Sequence, residues 1–132
     1  MVDEGCLIMD IAVSVIMPVY NAAKYVERAI SSVLDGSPHC IEIICVDDCS
    51  QDSSYDVLNK LAVEDSRIKV YRNAKNMGAG YTKNIAISYA RGKFICFCDS
   101  DDYFAAGAVE SMLRIVSNSN CADGIYFGSY RK

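Results

Sequence analysis

Three aspartates crowd into the four positions Asp99-Ser100-Asp101-Asp102, and that density of hard oxygen donors is the first chemistry the sequence offers. If the backbone there stays extended, its two-residue period puts Asp99 and Asp101 on the same side. Like charges that close repel each other. A hard divalent cation removes the conflict, and Mg²⁺ in particular binds through one or two carboxylates together with substrate phosphates. The cluster follows Phe94-Ile95-Cys96-Phe97-Cys98, an apolar run that reads as a buried strand. An acidic cluster at the tip of such a strand suits a metal-bound diphosphate. A solvated acidic loop capping the next helix uses the same residue types.

Asp47-Asp48 is a second acidic pair, after the apolar run Ile41 to Val46. Two readings stay open for it. The pair can cap the next helix, with Ser50 and Asp52 as further caps, or it can offer a carboxylate to a base or ribose. Gly78-Ala79-Gly80 is not a dinucleotide fingerprint, because Lys83 stands where the third glycine belongs. These glycines permit a tight turn instead. Lys83 falls in the first turn of a helix, where a cation opposes the dipole. A phosphate, a carboxylate or plain solvent would each satisfy it. The single His39 lies beside Pro38 in a loop and is given no role.

The seven cysteines sit largely in apolar runs, as Cys45, Cys96 and Cys98 do, without the paired spacing of a zinc site. They read as small buried hydrophobes in a reducing compartment.

The elements that position these residues alternate. Ile11 to Met17 reads as a buried strand ending at Pro18, followed by a helix capped by Asn21 with Ala22, Tyr25, Val26, Ala29, Ile30, Val33 and Leu34 on its apolar face. Gly36 and Pro38 end it. Strand Ile41 to Val46 precedes a helix with Tyr55, Leu58, Leu61 and Ala62 on its face, then strand Ile68 to Tyr71 and a helix from about Tyr81 to Ala90. Strand Phe94 to Cys98, a helix around Val109, Met112, Leu113 and Val116, and a fifth strand at Gly124 to Phe127 complete the order. Strict alternation implies a three-layer α/β/α fold around a mostly parallel sheet. The polar clusters then fall at the carboxyl ends of the strands, where such sheets bind ligands.

The chain has 132 residues, 52% of them hydrophobic and 23% charged, which fits one globular domain at residues 12–132 after a short tail at 1–11. Its formal net charge of −4 argues against a nucleic-acid surface. No apolar run reaches the roughly 18 residues of a membrane span, and the acidic start lacks a basic leader. A cytoplasmic location follows as an expectation.

Taken together, the segments resemble the family-two glycosyltransferases, inverting enzymes with a Rossmann-like GT-A fold. The resemblance rests on Val13-Ser14-Val15-Ile16-Met17-Pro18-Val19-Tyr20-Asn21, Val46-Asp47-Asp48-Cys49-Ser50-Gln51-Asp52, Asn76-Met77-Gly78 through Lys83-Asn84, and Asp99-Ser100-Asp101-Asp102. It implies that Pro18, Val19 and Tyr20 pack on the nucleotide base and that Asp47 contacts it. It implies that Asn76, Gly78 and Lys83 line the nucleotide and diphosphate site, that Asp99 contacts the ribose, and that Asp101 and Asp102 hold Mg²⁺ or Mn²⁺.

The implied donor is a nucleotide-sugar, a UDP-sugar ahead of a GDP-sugar. The implied acceptor is a saccharide or lipid-linked sugar in surface polysaccharide synthesis, met in the full-length protein at the inner face of the membrane. The sequence departs from the family in carrying Lys83 where Arg is common, which loses a bidentate fork. It also has Ala105-Ala106-Gly107 where a proline often opens the next helix. The family's catalytic base lies further on, and neither Glu110 nor Asp123 suits it, so the base is expected beyond Lys132. This chain then reads as the donor-binding part, with apolar surface free for self-association. The alternative is a non-catalytic nucleotide-binding or interaction module of the same fold. Against a response-regulator receiver, Val19-Tyr20-Asn21 stands where its acidic pair belongs and Tyr71-Arg72 where its phosphoacceptor Asp belongs.

Overall fold

The structure, a computed structural model, describes residues 11–117. The expected N-terminal tail up to residue 10, Asp123 and the expected strand at Gly124 to Phe127 lie outside the described residues. Four strands and four helices alternate: β1 Val13–Val19, α1 Val26–Leu34, β2 Ile41–Asp47, α2 Ser54–Glu64, β3 Ile68–Arg72, α3 Ala79–Tyr89, β4 Phe94–Phe97 and α4 Ala108–Ser117. All strand pairs are parallel, in the order β3-β2-β1-β4.

The two faces of β1 and β2 sort by residue parity. Val13, Val15, Met17 and Val19 of β1, with Ile41, Ile43 and Cys45 of β2, meet α1, α2 and α4 in one core. Ile16, Ile44 and Val46 point the other way and pack against Ala86 of α3. The three layers expected from the alternation are therefore present. Strand β2 is buried at all seven positions, as a central parallel strand must be.

Strand β1 does not stop at Pro18. The Ile16 carbonyl accepts the Cys98 N–H across β4 at 3.0 Å, and Val19 accepts the Asp48 N–H on the β2 side at 2.8 Å. Pro18 shares the parity of Ile16, so its nitrogen faces the β4 side. Register with β4 ends at Ile16↔Phe97, so the absent N–H costs no ladder bond. Nor does Asn21 cap α1. It sits at φ +48°, and α1 opens at Val26 after Tyr25, whose ring stands exposed rather than in the core.

Strand β4 is apolar but not buried throughout. Phe94 and Cys96 face the main core, while Ile95 and Phe97 are 42% and 52% exposed on the α3 side. Helix α3 packs over β1 and β2 and leaves that strip open.

At the amino ends of the strands, buried Glu42 accepts from the Ser14 hydroxyl at 2.6 Å and from the Arg91 N–H at 2.8 Å. The Gly92 N–H donates to the same Ser14 hydroxyl at 2.8 Å. This clasp fixes the α3–β4 connection against β1.

Candidate functional site

The four parallel strands deliver their carboxyl ends to one rim, and the strand order reverses at β1, between the outward run to β3 and the return to β4. Crevices at such reversals are where open α/β sheets bind ligands. Tyr20-Asn21, Asp47-Asp48, Arg72-Asn73 and Asp99 to Asp102 all lie at or just after strand ends on this rim.

The acidic segment is a turn rather than an extended strand end: the Asp102 N–H donates to the Asp99 carbonyl at 3.0 Å. Period-two alternation therefore does not bring Asp99 and Asp101 together; the turn does. One carboxylate oxygen each from Asp99, Asp101 and Asp102 lies within 4.8 Å of the others, and all three residues are exposed. Exposed oxygen-only donors at that spacing fit a hard divalent cation that shares its remaining positions with a ligand.

The turn is anchored on its far side. The Phe104 N–H donates to the Ser32 hydroxyl at 3.0 Å, and the Arg28 guanidinium lies 4.5 Å over the Tyr103 ring. Beneath it, burial pushes the Cys98 thiol up to about 12, with Cys96 and the three carboxylates adding to the effect. Cys98 is thus a neutral thiol, and burial raises Cys45 and Cys96 in the same sense. All five cysteines among the described residues are free.

Of the residues expected at the nucleotide base, Pro18 is half-buried, Val19 is buried and Tyr20 is exposed. The loop after β1 is stitched to the loop after β2. The Asn21 N–H donates to Ser50 Oγ at 2.9 Å, and Asn21 Oδ1 accepts the Gln51 N–H at 2.8 Å. The Ala22 and Ala23 N–H groups reach Ser54 Oγ and Asp52 Oδ2 at 2.8 and 3.2 Å. Asp52 also accepts the Ser54 N–H and hydroxyl in the turn before α2, but the N-cap position is Ser53 and no side chain caps it, so neither Ser50 nor Asp52 is the expected cap.

The Asp47 carboxylate is fully buried. It accepts the Ser50 N–H at 2.9 Å and the Ser50 hydroxyl at 2.6 Å, and it faces Arg72 Nε at 3.4 Å. It therefore shapes the loop after β2 and is not presented to a base in this arrangement. Sequence reasoning missed Arg72, although β2–β3 register sets it opposite Asp47.

Asp48 does not cap α2. It holds the start of α3, thirty residues on, accepting the Met77 and Gly78 N–H groups at 2.7 and 2.9 Å. Burial alone would raise its carboxyl. Hydrogen bonds from Asn73, Met77, Gly78 and Thr82 outweigh that and hold it below the usual carboxylate range. Asn76 Nδ2 reaches the Asp48 carbonyl at 3.4 Å, so Asn76 and Gly78 belong to one network with Asp48. Asn73 and Thr82, which join it through a 3.0 Å bond, had no distinguishing signal in the sequence. A cavity of about 350 Å³ lined by Asn73, Ala74, Lys75, Met77 and Tyr81 opens beside this network. Gly78 precedes α3 at φ +92°, a backbone that favours glycine. Lys83 is half-buried, with Nζ 5.7 Å from the ring centroid of Phe97, the last residue of β4.

Comparison with known proteins bears on this arrangement. The model of glycosyl transferase family 2 matches residues 14–131. WfgD of Escherichia coli, a UDP-Glc:alpha-D-GlcNAc-diphosphoundecaprenol beta-1,3-glucosyltransferase, is 38% identical over 92% of this chain and 46% of its own length. The glycosyltransferase GlyG of Streptococcus pneumoniae is 34% identical over 89% of this chain and 38% of its own. The crystal structure of S. aureus TarS in complex with UDP-GlcNAc superposes with a TM-score of 0.75 at 31% identity, over 82% of this chain and 32% of that one. The chain thus spans less than half the length of these relatives. With residues 14–131 matched by the family model and WfgD 38% identical over 92% of this sequence, the chain belongs to glycosyl transferase family 2.

Proposed function

We propose that the chain forms the donor-binding part of an enzyme that moves a sugar from a nucleotide-sugar to an acceptor hydroxyl, with inversion, in surface polysaccharide synthesis. The convergence of the Asp99, Asp101 and Asp102 carboxylates at the reversal of strand order carries this reading. Asp101 and Asp102 would hold Mg²⁺ or Mn²⁺, which as a Lewis acid neutralises a leaving diphosphate. Asp99 is assigned to the ribose, and Pro18, Val19 and Tyr20 to the base. Asn76, Gly78 and Lys83 line the nucleotide and diphosphate side, with Lys83 acting as a point charge. Asp47 serves the base through the loop it holds with Ser50.

A UDP-sugar donor is favoured by the names of WfgD and of the TarS complex. A lipid-linked acceptor is favoured by the name of WfgD, and with it a cytoplasmic place at the inner face of the membrane. The base that deprotonates the acceptor is assigned to the acceptor-binding part of the enzyme rather than to Glu110. The exposed strip of Ile95 and Phe97 is the surface through which self-association would run.

The test is a thermal-shift series on this chain with UDP, GDP, CDP or dTDP, each with Mn²⁺, Mg²⁺ or EDTA, repeated on Asp101→Asn. Ligand at about a hundred times its dissociation constant adds roughly 2.7 kcal/mol, a rise on the order of 5–15 °C for a domain this size. The expected result is a rise with UDP that needs the metal and disappears in the variant. No rise with any nucleotide, in this chain or in a longer one, would overturn the reading.

A further inference from the structure

The acidic turn and the nucleotide-side loops are separate in sequence, yet both are fastened to α1 or to the loop that leads into it. In that loop, Asn21, Ala22 and Ala23 bond to Ser50 and Asp52 of the loop after β2 and to Ser54 at the start of α2, and the Ala22 carbonyl accepts the Tyr25 and Val26 N–H groups at 2.9 and 3.0 Å as α1 begins. Further along, Arg28 and Ser32 stand four residues apart on one side of the helix. They grip consecutive residues directly after the acidic turn: Arg28 covers the Tyr103 ring at 4.5 Å, and Ser32 Oγ accepts the Phe104 N–H at 3.0 Å. Ser32 is also oriented for this, since its own hydroxyl proton goes to the Ala29 carbonyl at 2.6 Å. Neither residue carries an expected ligand contact, and Arg28 has no carboxylate partner among the described residues.

We infer that Arg28 and Ser32 are positioning residues that set the acidic turn at a fixed distance from the nucleotide-side loops, so that metal and nucleotide bind cooperatively through α1. The inference rests on the proposed donor site. It adds a specific mechanical link: the two halves of the site are spaced by one helix, and the link is made by a cation over a ring and a single hydroxyl. A link of this kind shows up as coupling between two ligands, not as the affinity for either one alone.

The measurement is UDP affinity by calorimetry on the whole chain, with saturating Mn²⁺ and with EDTA, and Mn²⁺ affinity without nucleotide. The readout is the factor by which Mn²⁺ tightens UDP. Arg28→Ala should cut that factor about two- to fivefold, the worth of an exposed cation–π contact. Ser32→Ala should cut it by a similar amount through the lost hydrogen bond. Affinity for UDP in EDTA should stay as in the parent for both, and Ser32→Thr, which keeps the hydroxyl, should restore the factor. Asp101→Asn is the reference that abolishes it. If Asp101→Asn removes the coupling while Arg28→Ala and Ser32→Ala keep it, the link through α1 is refuted and the donor site stands. If Ser32→Thr behaves as Ser32→Ala, the hydroxyl is not the link and the inference also fails. If the parent chain shows no metal-dependent UDP binding, the donor-site reading itself falls.

Discussion

Two non-glycine residues on the rim adopt left-handed backbone, and they differ in what compensates them. Asn21, at φ +48°, is one of the residue types that tolerate this backbone, and its side-chain oxygen accepts the Gln51 N–H of the neighbouring loop. Cys49, at φ +58°, has only a 3.8 Å contact from its sulfur to the Ala74 carbonyl. Strain of this kind costs of order 1–3 kcal/mol, and glycine gives back part of the gain as unfolded-state entropy. Cys49→Gly is therefore expected to stabilise the chain by about 1 kcal/mol, a Tm rise of roughly 3–5 °C. A fall in Tm would show that the sulfur contact outweighs the strain. The neighbouring acids show how far residue-level reading reaches. Asp47 and Asp48 stood out in the sequence as a pair, and both sit on the rim, but their roles depend on Ser50, Arg72, Met77 and Gly78. Three of those four partners lie more than twenty residues away in the chain, where no local pattern points to them.

At the scale of elements, apolar runs, helical period and the glycine turns flanking α3 located all eight that the structure describes, because burial of a parallel sheet demands continuous apolar strands. What stayed hidden was contact made across layers. The clasp of Glu42, Ser14, Arg91 and Gly92 has no signature beyond an acid inside an apolar strand. Gly92 is its tightest point, since a Cβ there would meet the Ser14 nitrogen at 2.6 Å and the Ser14 hydroxyl at 2.7 Å. The nitrogen is backbone and cannot swing aside. Gly92→Ala should cost about 1–3 kcal/mol through overpacking, a drop in Tm on the order of 5–10 °C. Because the clasp is at the opposite end of the sheet from the acidic turn, the metal-dependent UDP binding proposed for that rim, measured well below Tm, should be the same as in the parent. A Tm equal to that of the parent would mean the α3–β4 connection can shift to admit the methyl group.

The whole molecule is acidic, and its response to pH follows from how it uses its carboxylates. Asp48 and Asp52 are held below the usual range by hydrogen bonds that outweigh burial, and Asp65 by the Arg67 guanidinium beside it. In the unfolded chain each returns to about 3.9. A carboxyl whose folded value is the lower one contributes stability that is complete above the unfolded value. That contribution is lost as pH falls through the folded value. Tm should therefore be flat at neutral pH and drop steeply below about pH 4. Asp48 carries the sharpest test, because its carboxylate ties the end of β2 to the start of α3. In Asp48→Asn an amide nitrogen replaces one of the oxygens that accept the Met77 and Gly78 N–H groups, leaving a part-buried donor without its partner at a cost of about 1 kcal/mol. The deficit should be full at pH 7 and narrow toward pH 3, where the parent chain has begun to lose the same contribution. Melting both proteins from pH 7 down to pH 3 decides it: parallel curves would show that the Asp48 charge is not what holds α3 to the sheet.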